Sequence, residues 1–298
     1  MPPPVPPLKT ALITGGEGML AQDVRSALIA TGRWRVTAPS RLDLDITDAD
    51  GVAGHIAAVK PDAVINTAVL HVDPSENSPE DAFRVNAWGV RNLAIACEAA
   101  DAMLVQISTC GLFGDEVRPY DEYDPVVLKT VYARSKHAGE RYAAELCSRT
   151  LILRLGWLFG GSPAHSRNFV AARIREAQAA EGALQSASDK HGSPTYTGDV
   201  ADRLISLLEM GEMGAVGLFH LANSGAASRA EYVRQILASA GLDTAVEDVD
   251  SSHFPRVAPV PDCEVLTSLN LGYAGLSPMP PWTEAIDRYV RSIRQKLA

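Results

Sequence analysis

Thr10-Ala-Leu-Ile-Thr14 is a short apolar run that leads straight into Gly15-Gly-Glu-Gly18-Met-Leu-Ala21. A strand, then Gly-x-x-Gly-x-x-Ala, then a helical pattern is the first turn of a dinucleotide-binding βαβ unit. Each small residue has a physical reason to be there. Gly15 permits the tight turn, Gly18 lets backbone approach a pyrophosphate, and Ala21 lets the helix pack closely on the strand. The helix opening at Met19 presents free N–H groups and a favourable dipole to an anion. Glu17, Met19 and Leu20 belong to the same turn and are expected beside the cofactor. A glycine-rich turn without a ligand has the same composition. Its place as the first β-turn-α of an α/β chain favours the cofactor reading.

Outward from this turn the chain alternates. Strands are expected at Thr10–Thr14, Arg35–Ala38, Ala63–Ala68, Leu104–Ser108 and Leu151–Leu155, and helices at Met19–Ala30, Ala49–Val59, Glu80–Ala100 and Val131–Leu146. Alternation with short connections predicts βαβ units and a doubly wound parallel sheet. The second half is less regular. A helix is expected over Asn168–Ala180, a loop over Asp189–Thr197 and a strand over Gly217–Ala222. Ser228-Arg-Ala-Glu231 reads as a capping box opening a helix over Tyr232–Ala240. Pro280-Pro-Trp282 starts a terminal helix. The expected division is a proline-rich leader over 1–8, a dinucleotide-binding domain over 9–160, and an interwoven substrate-binding lobe plus returning Rossmann elements over 161–298.

Composition sets outer bounds. The 298 residues, 46% hydrophobic and 21% charged, describe an ordinary globular chain with ample core. A formal net charge of −9 argues against nucleic acid or an anionic membrane as the main partner. Four cysteines without metal-ligand spacing fit free thiols in a reducing cytoplasm. No apolar run approaches about 18 residues, so no transmembrane helix is predicted. The start, Met1-Pro-Pro-Pro-Val-Pro-Pro-Leu-Lys9, lacks the basic end and apolar stretch of a signal peptide.

The chemistry is carried by Tyr132 and Lys136, four residues apart on the helix expected at Val131–Leu146. Such residues share one face, about 5–6 Å apart at Cβ. A phenol beside a cation is an acid–base device. The ammonium favours the phenolate, so Lys136 is expected to bring Tyr132 down toward neutral pH, where it could protonate a carbonyl oxygen. At the end of the second strand the acid usual for an adenosine ribose is missing. Ser40-Arg41 stands there, and an Arg suits a 2′-phosphate, so NADP(H) is favoured and NAD(H) is allowed. Asp45 and Ile46 are expected at the adenine edge. His71, His191 and His220 are expected in structural rather than acid–base roles. Glu17 and Asp23 are read as surface charges, and no metal is predicted.

In order along the chain stand Gly15-Gly-Glu-Gly18, Asp62-Ala-Val-Ile-Asn-Thr-Ala68, Val85-Asn-Ala-Trp-Gly-Val-Arg-Asn-Leu93, Ser108-Thr109, Tyr132-x-x-x-Lys136, Ile152-Leu-Arg-Leu-Gly-Trp157, Asn168-Phe169, Gly192-Ser-Pro-Thr-Tyr-Thr197 and Leu218-Phe-His-Leu-Ala222. Together they resemble the extended short-chain dehydrogenase/reductase superfamily, and within it the dTDP-4-dehydrorhamnose reductase family, from about Lys9 to Tyr289. The resemblance implies a Rossmann-like sheet with a smaller C-terminal substrate lobe. It implies hydride transfer from NAD(P)H to the 4-keto group of a nucleotide-linked deoxysugar, by a monomer or homodimer. Thr109, Tyr132 and Lys136 would be catalytic. Thr67, Ala68, Val69 and Asn86 would join the cofactor side, and His71, Cys110, Trp157, Asn168 and Arg256 the substrate side. For Asn168 a helix cap is the alternative, and for Trp157 a core aromatic.

Three departures touch the substrate side. The family's Ser-Thr-Asp-Tyr-Val-Phe is here Ser108-Thr-Cys-Gly-Leu-Phe113, without the Asp and Tyr. Val69-Leu-His-Val-Asp-Pro74 is one residue shorter than usual and has Pro for Lys. Ala258-Pro-Val-Pro261 replaces Ala-x-Arg-Pro, with Arg256 close by. Two other functions remain open at this point. One is an epimerase or dehydratase with tightly held NAD⁺, and the other a non-catalytic nucleotide-binding regulatory subunit.

Overall fold

The computed structural model describes residues 7–210 and 214–297. The expected leader over 1–8 lies, as far as residue 6, outside the described residues. The first half runs β1 (Lys9–Thr14), α1 (Met19–Ala30), β2 (Trp34–Thr37), α2 (Ala49–Val59), β3 (Ala63–Asn66), α3 (Val72–Asn77), α4 (Pro79–Phe83), α5 (Gly89–Ala99), β4 (Met103–Thr109), α6 (Val131–Leu146) and β5 (Thr150–Leu155). The second runs β6 (Trp157–Phe159), α7 (Phe169–Ala179), β7 (Leu184–Ala187), β8 (His191–Gly192), β9 (Pro194–Tyr196), α8 (Thr197–Leu208), β10 (Gly217–Leu221), β11 (Ala227–Ser228), α9 (Arg229–Ala240), β12 (Val246–Val249), β13 (Cys263–Glu264), α10 (Asn270–Tyr273) and α11 (Trp282–Leu297).

Six strands form one sheet in the order β2-β1-β3-β4-β5-β10. Every pairing in it is parallel. The chain leaves β1 for β2 on one side and returns as β3 on the other. That reversal opens a crevice at the carboxyl ends of β1 and β3, where open α/β sheets bind ligands. Helices cover both faces. α1 buries Leu20, Ala21, Val24 and Leu28, one stripe at helical spacing, against one face. α8 lies beside it and buries Val200, Ala201, Leu204, Leu207 and Leu208 in the same core. Residues of α2, α5 and α6 fill the other face.

The helix expected over Glu80–Ala100 is broken into α4, one π-helical turn at Arg84–Trp88, and α5. The turn places Asn86 inward, fully buried, where π-bulges commonly mark functional positions. The segment expected as a loop over Asp189–Thr197 contains β8, β9 and the start of α8. Strands of two or three residues are too short to show periodicity.

The remaining short strands build the lobe over the sheet's carboxyl edge. β6 pairs with β9, β7 with β12, and β8 lies between β11 and β13. Trp157, Phe159, Tyr232 and Tyr289 fill its core. Ser228 accepts from the Glu231 N–H while the Glu231 carboxylate accepts from the Ser228 N–H, so the capping box closes as expected.

Candidate active site

The turn after β1 is packed to its limit. Gly15 has φ 67°, and a Cβ on it would stand 2.9 Å from the Ala68 nitrogen. Only glycine fits both demands. The Gly18 N–H donates to the Gly15 carbonyl at 3.0 Å, and the Thr67 hydroxyl donates to the Thr14 carbonyl at 2.7 Å. α1 starts with no side-chain cap and no acid in its first turn. Its open N–H groups suit a pyrophosphate, so the residues present fit a dinucleotide.

A cleft of about 350 Å³ runs from this turn along the sheet edge. It brings together Gly18, Met19, Leu20, Thr67 and Val69 with Thr109, Tyr132 and Lys136, and it also takes in His71. Leu158, His165 and Arg167 close it from the lobe side. Glu17 is exposed on the outside of the turn, using only its carbonyl, which accepts from Gln22.

The adenosine end is less committed. Ser40 donates its hydroxyl to Asp43 at 2.6 Å, and exposed Arg41 pairs with Asp45 at 3.5 Å. The Asp45 carboxylate already accepts from the N–H and hydroxyl of Thr47, both at 2.9 Å. Ile46 is buried where any side chain on Gly89 would strike it, so it supports the site from below rather than facing it.

Lys136 departs from expectation. Its ammonium donates to the Ile107 carbonyl at 2.5 Å. Burial pushes its pKa down to about 8, with Glu140 pulling the other way. Burial raises the Tyr132 phenol well above its ordinary range, the Thr109 hydroxyl opposes that, and Cys110 and the Glu264 carboxylate add to it. Lys136 therefore does not lower Tyr132 here, because its charge is directed at a backbone dipole. Tyr132 stays a protonated donor at neutral pH.

Beneath this pair, Glu140 and Arg154 are both buried and bonded twice, at 2.9 and 2.8 Å. Burial alone would raise the Glu140 carboxyl, but the Arg154 bonds outweigh it and hold the carboxyl down at about 2. Thr109 ends β4 and accepts the Gly111 N–H at 3.1 Å, while its own O–H is directed at the Tyr132 phenol, the contact that holds that phenol back. Asn86 accepts from the Leu70 N–H and donates to the Leu70 carbonyl, both at 2.9 Å, and donates to Ser135 at 3.0 Å. It ties the Val69–His71 loop to α6, so it positions the site and does not line the cleft.

Across Trp157 lies a second cavity of about 570 Å³. Arg173, Lys190, Arg229 and Arg256 stand on its walls, a local excess of cations in an acidic chain. Arg173, Lys190 and Arg256 have acidic partners, Glu176, Asp262 and Asp73. The Arg229 guanidinium stacks 3.4 Å over the Trp157 ring and has no side-chain hydrogen bond or ion pair among the described residues. Cys110 is buried behind this wall, and burial first, then Glu264, raises its thiol.

Asn168 fits the helix-cap alternative. Its carbonyl caps α7 by accepting from Ala171. Its amide donates to the carbonyls of Gly160 and Ser162 and to the Tyr289 hydroxyl. No polar atom is left over. His71 is held neutral, at about 4, by burial and then by Arg167, Lys136 and His165. Buried His220 faces the carbonyls of Tyr120 and Thr267, and His191 lies in β8, paired with Ser228 on one side and Cys263 on the other. Among the described residues no cluster of three or more metal-ligating side chains occurs. Sequence reasoning missed Arg167, Lys190, Arg229 and Glu264. Arg229 stands inside the capping box, which was a usable signal. Glu264 had none.

A family model described as RmlD substrate binding domain matches residues 9–295. The chain is 37% identical over 286 residues to a dTDP-4-dehydrorhamnose reductase of Mycolicibacterium smegmatis, covering 95% of this chain and 85% of that one. It is 38% identical over 282 residues to the dTDP-4-dehydrorhamnose reductase of Streptomyces griseus, covering 92% and 91%. The fold superposes with a TM-score of 0.90, at 29% identity and covering 96% and 99%, on the crystal structure of dTDP-4-dehydrorhamnose reductase from Bacillus anthracis in complex with NADP.

Proposed function

The chain belongs to the dTDP-4-dehydrorhamnose reductase family, and from that premise we propose that it reduces the 4-keto group of a nucleotide-linked deoxysugar, with NADPH favoured as reductant and NADH admitted. One observation carries this reading. Thr109, Tyr132 and Lys136 meet in a single cleft with the pyrophosphate-type turn.

The turn at Gly15–Gly18 and the start of α1 hold the pyrophosphate, and Lys136 engages the nicotinamide ribose. When bound, the dihydronicotinamide supplies the hydride. The Thr109 hydroxyl donates to the ketone oxygen as negative charge gathers there, a stabilisation that grows toward the transition state. Tyr132 hands the same oxygen a proton, acting as general acid. Its raised pKa suits donation, because the phenol stays protonated through neutral pH. Arg229 and Lys190 support a nucleotide diphosphate in the second cavity, and Trp157 forms the wall on which Arg229 rests.

The substrate is a small nucleotide sugar, and the enzyme acts as a monomer or homodimer. All four cysteines are free and buried, which supports a reducing cytoplasm. Among the described residues no helix is long and apolar enough to cross a membrane. A panel of keto sugar nucleotides assayed with NADPH and NADH tests the reading. One cofactor oxidised per alcohol formed supports it. Interconversion without net oxidation means an epimerase, and binding without turnover means a regulatory subunit.

A further inference from the structure

The chain has no acid at position 110 and no side chain at position 111, yet a carboxylate stands beside them. It is Glu264, delivered from β13, which pairs with β8 through Glu264 and Gly192. Its Oε2 accepts the Trp157 indole N–H at 2.7 Å, and its Oε1 accepts the Cys110 thiol at 3.7 Å. A Cβ on Gly111 would stand 3.1 Å from Oε1 and 3.4 Å from the Thr109 Oγ1. Glu264 thus fills the space a side chain at 111 would take, and reaches the neighbourhood of the reacting group. It lines the Trp157 cavity, whereas Thr109 and Tyr132 line the cofactor cleft. It stands where the two meet.

This carboxylate has no cation within ion-pair distance among the described residues. Two oxygens carry about four acceptor positions, and Trp157 and Cys110 use two. Arg229, stacked on Trp157, acts on this carboxylate only beyond contact distance, so a negative charge so near the ketone oxygen at Thr109 and Tyr132 still needs donors to hold it. The Trp157 N–H is one donor. Resting on the reductase reading above, we propose that a hydroxyl of the sugar is the other, and that Glu264 is a specificity residue that selects keto sugars bearing a free hydroxyl on the carbon next to the ketone. In a 4-keto-6-deoxypyranose that carbon is C3, since C5 carries the ring oxygen and the methyl group. A buried acceptor built for a hydroxyl rejects the analogue without it, because the acceptor is then left unpaired.

The experiment compares a dTDP-linked 4-keto-6-deoxyhexose with its 3-deoxy analogue, in the wild-type enzyme and in Glu264→Gln and Glu264→Ala. The readout is the ratio of the two kcat/KM values, with dTDP affinity as the control for an intact fold. The wild type is expected to favour the hydroxylated sugar by about 10- to 100-fold, the range of a hydrogen bond to a charged group. Glu264→Ala should bring the ratio close to one, and Glu264→Gln, which keeps a neutral acceptor, should lower it partway. A ratio that is the same in wild type and variants overturns the proposal. So does an equal loss on both sugars, which would mean that Glu264 acts only by holding Trp157. Absence of turnover by the wild type with every keto sugar nucleotide overturns the reductase reading itself, and is told apart by that control.

Discussion

The Lys136 ammonium rests 2.5 Å from the Ile107 carbonyl, at the end of a buried polar row. The same carbonyl accepts from the Gln106 amide at 2.6 Å. Gln106 in turn accepts from Asn66 at 2.7 Å, and Asn66 accepts from the Thr14 hydroxyl at 2.6 Å. The row crosses β4, β3 and β1 and joins the cation to the residue just before the glycine turn.

Lys136→Met should separate activity from stability. The Ile107 carbonyl keeps its Gln106 donor, and a buried cation is removed, so the melting temperature should rise while kcat/KM falls by about 10²-fold or more. The folded-state pKa, about 8, lies below the ordinary value. The unfolded chain then binds more protons between about 8 and 10.4, so this lysine's destabilising effect is full below that window and gone above it. Denaturation across pH 7–10 should show a rise in wild-type stability that the variant lacks. Wild-type kcat/KM should decline as pH rises through about 8.

Tyr132→Phe should lower turnover by about 10²–10⁴-fold, the range for losing a general acid. NADPH affinity, measured by fluorescence titration, should barely move. Unchanged turnover in this variant would falsify the assigned proton donor.

Glu140→Gln leaves the Arg154 guanidinium buried without its counter-charge. Breaking such a pair costs about 3–5 kcal/mol of stability, readable by urea unfolding at pH 7. The Glu140 carboxyl is held at about 2, below its unfolded value. Its contribution is therefore full above the unfolded value near 4.3 and is lost as pH falls toward 2. The gap between wild type and variant should narrow at pH 3.

Asn168→Ala and Arg229→Met should fail in opposite ways. The first removes a helix cap and three donor contacts, so it should lose about 2 kcal/mol of stability with KM little changed. The second removes a cation that has no hydrogen-bond or ion-pair partner among the described residues and rests on the Trp157 ring, which a Met side chain still covers. Its KM for the nucleotide sugar should rise about 10- to 100-fold with stability maintained.

What the sequence disclosed follows from range. α1, α2 and α6 matched their expected ends to the residue, because a helical pattern of 11 to 16 residues is a local signal. The cleft was legible for the same reason, as Thr109 ends β4, the glycine turn follows β1, and Tyr132 stands in the first turn of α6. The π-turn at Asn86 was not, since its cause is a hydrogen bond to Ser135 on another helix. Glu264 was not either, because it reaches Cys110 from 154 residues away through a strand of only two residues.

The sixth strand of the sheet comes from residues 217–221, beyond the first lobe segments. Until β10 has left the ribosome, β5 is a bare edge carrying unpaired backbone groups. Until α8, just before β10 in the chain, has also emerged, the apolar stripe of α1 lacks its neighbour in the core. The nucleotide-binding half cannot mature while the rest is being made. Synthesis halted near residue 210 should leave an aggregation-prone chain that chaperones must hold.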